Sequence, residues 1–244
     1  MIMETTNNID KILRAIEERR TFAMMKRFQY SGFSVEDGLK VIEAVGKARN
    51  PRFVIDDENR FTYENFIKWC HGDASMQCLD PETNRPIKGD LFRGIYIAGN
   101  TGTGKSWCLE IMREYAAACR FAISFPDYDK DRTTGLTWGC IRAKDICEYY
   151  TEHGDVKSFK NRDILAIQDF GSEPVETLYM GNREDVIRQI IEYRGDTSNQ
   201  LTLITSNLRL SGKKLNERYG DRVESRLHEM CNYFIIQGKD RRKF

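Results

Sequence analysis

The feature that most constrains this chain is the run Gly99-Asn100-Thr101-Gly102-Thr103-Gly104-Lys105-Ser106. It lies between a short apolar segment, Gly94–Ala98, and a segment of helical periodicity that begins at Lys105. The spacing is GxxxxGK[ST]. Glycines at 99, 102 and 104 let successive backbone N–H groups turn inward without side-chain clashes, and such a nest holds an anion. A helix starting near Lys105 aims its positive end at the same point. The Lys105 ammonium reaches terminal phosphates, and the Ser106 hydroxyl is a ligand for Mg²⁺. Strand, loop and helix in this order form a cradle for ATP with Mg²⁺, built from Gly99, Asn100, Thr101, Gly102, Thr103, Gly104, Lys105 and Ser106.

The chain around the cradle suits a parallel sheet with helical crossovers. Strands are expected at Gly94–Ala98, Leu136–Ile141, Ile164–Asp169, Leu201–Ser206 and Tyr233–Gln237. Helices are expected at about Lys105–Arg120, Ala143–His153, Arg183–Tyr193 and Arg222–Met230. Phe125 to Gly135 is polar and aromatic, and is expected to be an exposed loop. Upstream the pattern is helical: Ile9, Ile12, Leu13 and Ile16 recur at helical spacing, and a second helix runs from the N-cap candidate Ser34 to the break at Asn50-Pro51. The stretch from Ile55 to Lys88 mixes a helix near Tyr63–Cys70 with turn residues. The expected division is a helical partner-binding domain at 1–54, a linker and packing segment at 55–90, and an ATPase domain at 91–244.

Two strand ends carry candidate chemistry. The run Ile164-Leu165-Ala166-Ile167-Gln168-Asp169 is an apolar strand ending in a carboxylate, which a P-loop ATPase needs near Mg²⁺ and the attacking water. An ordinary buried strand ending in a solvated aspartate is the plainer alternative. The strand Leu201–Ser206 ends at Asn207, whose amide can bond the attacking water and sense the γ-phosphate. Arg222 and Arg226 lie four apart on one helix face. On composition alone a surface salt-bridge pattern is the plainer reading; the functional reading is an arginine finger that reaches a neighbouring subunit's nucleotide.

Composition limits the rest. Lysine plus arginine (38) nearly cancel aspartate plus glutamate (37), which neither demands nor excludes nucleic acid. The seven cysteines form no CxxC pair, so free thiols in a reducing cytoplasm explain them best. Cys70, His71 and Cys78 lack a fourth ligand at a sensible spacing for a metal. No apolar run approaches the roughly 20 residues of a membrane helix, and the charged N-terminus does not suit a signal peptide, so a soluble cytoplasmic protein is expected.

Taken in order, GNTGTGKS, DFGSEP, TLITSNL and YGDRVESRLHEM resemble the AAA+ ATPases of the DnaC/DnaI helicase-loader type, with their IstB-like relatives. The resemblance runs from about Gly94 to the C-terminus. It implies an α/β P-loop NTPase (AAA+) parallel sheet flanked by helices, with the lid domain absent and a small helical N-terminal domain. Gly99–Ser106 corresponds to Walker A, Asp169 to Walker B (with Ser106 the metal-binding pair), Asn207 to sensor 1, and Arg226 to the trans-acting finger, with Arg222 as second candidate. The chain departs from the pattern at Gln168, where the family usually has an acidic residue that helps hold hydrated Mg²⁺; slow hydrolysis is the expectation. The implied partners are a replicative DNA helicase, single-stranded DNA and further copies of the ATPase domain. Two alternatives stay open: a transposition helper that binds duplex DNA and recruits a transposase, and a nucleotide-gated adaptor with little hydrolysis. Lys144, Lys157, Lys160 and Arg162 lie where such loaders expose DNA contacts, although solvated lysines are the plainer reading.

Overall fold

The computed structural model describes residues 9–20, 23–32 and 34–241. In chain order the elements are α1 (Ile9–Glu18), β1 (Lys26–Arg27), α2 (Val35–Arg49), α3 (Arg60–His71), β2 (Gln77–Leu79), β3 (Pro86–Lys88) and β4 (Gly94–Ala98). Then follow α4 (Lys105–Ala118), β5 (Ala122–Phe125), β6 (Arg132–Gly135), β7 (Cys140–Arg142), α5 (Ala143–His153) and α6 (Lys157–Lys160). The chain continues with β8 (Ile164–Phe170), β9 (Thr177–Tyr179), β10 (Asn182–Glu184), α7 (Val186–Gly195), β11 (Leu201–Ser206), α8 (Lys213–Met230) and β12 (Cys231–Ile235).

A seven-stranded sheet in the order β3-β2-β12-β4-β11-β8-β7 forms the centre. The strands from β12 to β7 pair in parallel, and β2 and β3 add an antiparallel hairpin at one edge. Side chains alternate between faces along each strand. Ile95 and Ile97 of β4, with Ala166 and Leu203, enter one core together with α2, α3 and α4. Tyr96 and Ala98, with Leu165, Ile167 and Ile204, enter the other, under α5, α7 and α8. Both faces are therefore apolar, which is why β4 and the first four residues of β8 read as continuous apolar runs, while β11 interleaves buried threonines.

Several elements differ from the sequence expectation. Leu136 and Trp138 are buried, but of the expected Leu136–Ile141 strand only Cys140 and Ile141 fall in β7, which runs on to Arg142. Of the expected exposed loop, residues 126–131 are the tip of the hairpin β5–β6 and Arg132–Gly135 is its second strand; β1 extends the hairpin to a separate three-stranded sheet. Helix α8 starts at Lys213 and bends at Gly220, whose φ of 79° leaves the helical region. Ser34 caps α2, its side chain accepting a hydrogen bond from Asp37 N at 3.1 Å. Leu39 and Ile42 of α2 lie in the same core as Ile111 and Tyr115 of α4, so the described residues on either side of position 54 share one hydrophobic core. The apolar positions of α1 (Ile9, Ile12, Leu13, Ile16) are exposed. Residues 1–8 of the expected first domain, and the basic Arg242 and Lys243, lie outside the described residues.

Candidate nucleotide site

The GNTGTGKS run connects β4 to α4 at the C-terminal end of the parallel strands, where open α/β sheets bind ligands. Two glycines show why the motif needs them. Gly104 closes the loop at a φ of 98°, which side chains other than glycine avoid. At Gly99 a Cβ would stand 2.1 Å from the Ile236 carbonyl oxygen, so any side chain would force β4 and the end of β12 apart. Lys105 is buried, and its ammonium donates to the Asn100 carbonyl at 2.7 Å and to Asn207 Oδ1 at 2.9 Å. Asn207 Nδ2 in turn donates to Thr101 Oγ1 at 3.3 Å. The end of β11 and the phosphate loop are thus wired together.

Strand order puts β11 between the P-loop strand β4 and β8, which aligns Asn207 and Asp169 along one edge. The pairing of β8 with β11 slips by one residue between Ile204 and Ser206, leaving an extra residue on β8 at Gln168–Asp169. A bulge of this kind re-aims a side chain. Asp169 takes a left-handed φ of 56°, uncommon for a non-glycine residue and a marker of functional sites. Its N–H donates to Thr205 Oγ1 at 3.2 Å, and its carbonyl accepts from Ser172 Oγ at 2.6 Å. The backbone is pinned, and Asp169 lines a cavity of about 190 Å³ together with Thr101, Lys105, Ser106, Trp107, Asn207 and Arg241. The hydroxyl of Ser106 and the carboxylate of Asp169 are hard oxygen donors on one cavity wall, a set that fits Mg²⁺.

Gln168 is not on that wall. It is buried, and its amide nitrogen donates to Glu110 Oε1 at 2.9 Å and lies 3.4 Å from the Ser106 carbonyl. Behind the bulge, Glu173 is enclosed and accepts from Gly171 N at 2.9 Å, from Arg218 Nη2 at 3.1 Å and from the Tyr219 hydroxyl. Burial, then the neighbouring Glu173, pushes the Tyr219 phenol far up, so it stays a donor. This network ties the loop after Asp169 to helix α8.

A second cavity of about 290 Å³ adjoins the first and shares Gly104, Trp107 and Arg241 with it. Its other walls include Phe53, Asp56, Asn59 and Tyr63. Arg241 N donates to the Gly102 carbonyl at 2.9 Å, and its guanidinium pairs with Asp56 at 2.8 Å. Arg241 Nε is buried with no hydrogen-bond partner among the described residues. The segment after β12 therefore folds back over the phosphate loop.

No known protein-family model matches the chain, and no curated protein does either. Among solved structures, a protein described as a primosome component from Streptococcus pyogenes serotype M3 superposes with a TM-score of 0.51 at 16% identity, over 78% of this chain and 85% of that one. DnaA from Aquifex aeolicus bound to AMPPCP gives 0.46 at 17% identity over 86% of this chain. The replication initiator DnaA bound to AMPPCP and single-stranded DNA gives 0.47 at 17% over 78%. The chain spans about half of each of these two, 51% and 49%. The likeness is one of fold. A mostly parallel α/β sheet flanked by helices is the architecture the sequence predicted.

Within that fold the residues Gly99–Ser106, Asp169 and Asn207 come together, and Arg222 and Arg226 do not. Arg226 pairs with Asp196 and with Glu229 at 3.0 Å; Arg222 pairs with Asp196 at 3.4 Å. Both sit on α8 against α7, away from their own chain's phosphate loop. Lys144 is in a surface pair with Glu148 at 3.2 Å, and Lys160 lies over the Tyr193 ring at 5.5 Å. Sequence reasoning missed Asp56, Asn59, Trp107 and Arg241, and nothing in their spacing marks them: they meet only because α3 and the segment after β12 fold beside α4. Among the described residues no cluster of three metal-binding side chains exists, and His71 instead hydrogen-bonds the Tyr115 hydroxyl at 2.7 Å.

Proposed function

We propose that this chain is a slow ATPase that couples ATP binding to the loading of a ring helicase on DNA. The observation that carries the nucleotide part is Lys105 tied to Asn207 beside Asp169, all facing one cavity. The base and sugar occupy the larger cavity against Trp107, and the triphosphate occupies the smaller one. Incoming phosphate replaces the neutral acceptors Asn100 O and Asn207 Oδ1 at the Lys105 ammonium. Asn207 is thereby released to bond the attacking water, and Asp169 accepts that water's proton or orients it. Mg²⁺, when bound at Ser106 and Asp169, neutralises phosphate charge. Arg226, and next to it Arg222, act on the nucleotide of an adjoining copy. Their pairing with Asp196 is then a resting contact that assembly exchanges for phosphate.

Helicase loading rests on the motif set and on the fold shared with a protein described as a primosome component. A reading as a nucleotide-gated adaptor is favoured by one observation, the neutral Gln168 beside Ser106. The test is ATP turnover alone, with single-stranded and with duplex DNA, combined with pull-down from the native host. Turnover stimulated by single strands and recovery of a hexameric helicase support the proposal. Duplex preference with a recovered transposase, or binding with no turnover under any condition, contradicts it.

A further inference from the structure

Phosphoryl-transfer sites built on a P-loop need a carboxylate near Mg²⁺ at a strand end, and here Gln168 stands beside the P-loop serine with no charge. Its surroundings fix how the amide is turned. The Ser106 carbonyl and the Glu110 carboxylate are acceptors only, so the NH₂ must face them, at 3.4 and 2.9 Å, and Oε1 takes the opposite side of the amide. Glu110 follows Ser106 by four residues on α4, so both lie on one helix face, one turn apart. The other Glu110 oxygen is held by Arg49 at the end of α2. Three elements, α2, α4 and β8, thus converge on a single carboxylate, which the Gln168 amide links to the carbonyl of the P-loop serine.

We infer that Glu110 is a positioning residue of the divalent-cation site. It carries, one helical turn back on α4, the negative charge that β8 lacks at 168, and it holds the Gln168 amide against the Ser106 carbonyl. Partners behind a metal's direct ligands orient them and tune affinity in this way. The arrangement also explains the glutamine: an aspartate at 168 would set a second carboxylate against Glu110 and the Ser106 carbonyl. Charge at 168 and charge at 110 are alternatives, and the chain has chosen the second.

The inference rests on the nucleotide-site reading, so the experiment separates the two. A fluorescent ATP analogue is titrated in EDTA and across a Mg²⁺ series with the parent chain, Glu110→Gln, Gln168→Asp and the double variant. The readout is the ratio of affinities with Mg²⁺ and with EDTA, and thermal melts of each protein establish folding. Glu110→Gln should lower the ratio about tenfold, the worth of one charge-assisted hydrogen bond. Gln168→Asp should lower it as well, and the double variant should return to within about threefold of the parent, because it moves the charge without adding or removing one. A ratio unmoved by Glu110→Gln, or a double variant no better than the worse single one, overturns the inference. Binding to the parent in EDTA keeps the nucleotide reading standing in either case; no binding in any condition overturns that reading and this inference with it.

Discussion

Replacing Arg218 by methionine strands the buried charge of Glu173 behind the candidate site and also breaks the more exposed pair with Asp185 at 3.3 Å. The Glu173 side chain has no exposure and Arg218 only 14%. Methionine keeps the aliphatic bulk and removes the cation, leaving Gly171 N–H and the Tyr219 hydroxyl as neutral donors to the carboxylate. Breaking a buried pair by removing one partner costs about 3–5 kcal/mol, and the partial exposure of Arg218 with two remaining donors points to about 3. In a chain of this size each kcal/mol lowers Tm by about 2–4 °C, so a fall of roughly 6–12 °C is expected by calorimetry. Adding Glu173→Gln should recover at least about half of it, since the stranded charge is then gone. An Arg218→Met variant within about 2 °C of the parent would refute the reasoning, because it would mean that Glu173 is not held as a charge by that arginine.

Other consequences are measurable. Burial holds the His71 imidazole below its ordinary 6.5, so the unfolded chain takes up the proton first; stability should fall as pH drops below about 6.5 and level off below the folded-state value, and His71→Gln should flatten that slope in pH-dependent melts. Arg226→Ala mixed with Lys105→Ala should recover part of the turnover that each lacks alone, because some interfaces then join an intact finger to an intact loop; no recovery between folded proteins argues against action across subunits. Trp107 lines both cavities while Trp69 and Trp138 are buried in the core, so nucleotide should change tryptophan emission in the parent and leave it nearly unchanged in Trp107→Phe.

The legible parts of this molecule were local. Gly99–Ser106, the apolar runs of β4 and β8, and the Ser34 cap each follow from short-range rules, and all appear where the residues put them. The left-handed turn at Asp169 was not legible, because it arises from a slip in pairing with β11, a partner more than thirty residues away. The cavity beside Trp107 was missed for the same reason: Asp56, Trp107 and Arg241 are distant in sequence and become neighbours through tertiary packing. The edge strands β2 and β3 are three residues each, too short for a period-two pattern to stand out. Helix α2 carried a clear cap and periodicity, but its pattern could not tell that Leu39 and Ile42 pack on α4 rather than in a core of their own.

The central claim is that the Lys105 cradle binds ATP, and calorimetric titration of Mg-ATP into the parent chain and into Lys105→Ala tests it most directly. Lys105 is buried and donates to the Asn100 carbonyl and to Asn207 Oδ1, contacts that phosphate would replace. Losing one charge-assisted contact of about 1.5–3 kcal/mol should weaken binding about 10- to 150-fold, with the melting temperature nearly unchanged. Saturable binding by the parent with that loss in the variant is the predicted result. Equal affinity in two folded proteins, or no binding by the parent, would contradict the account.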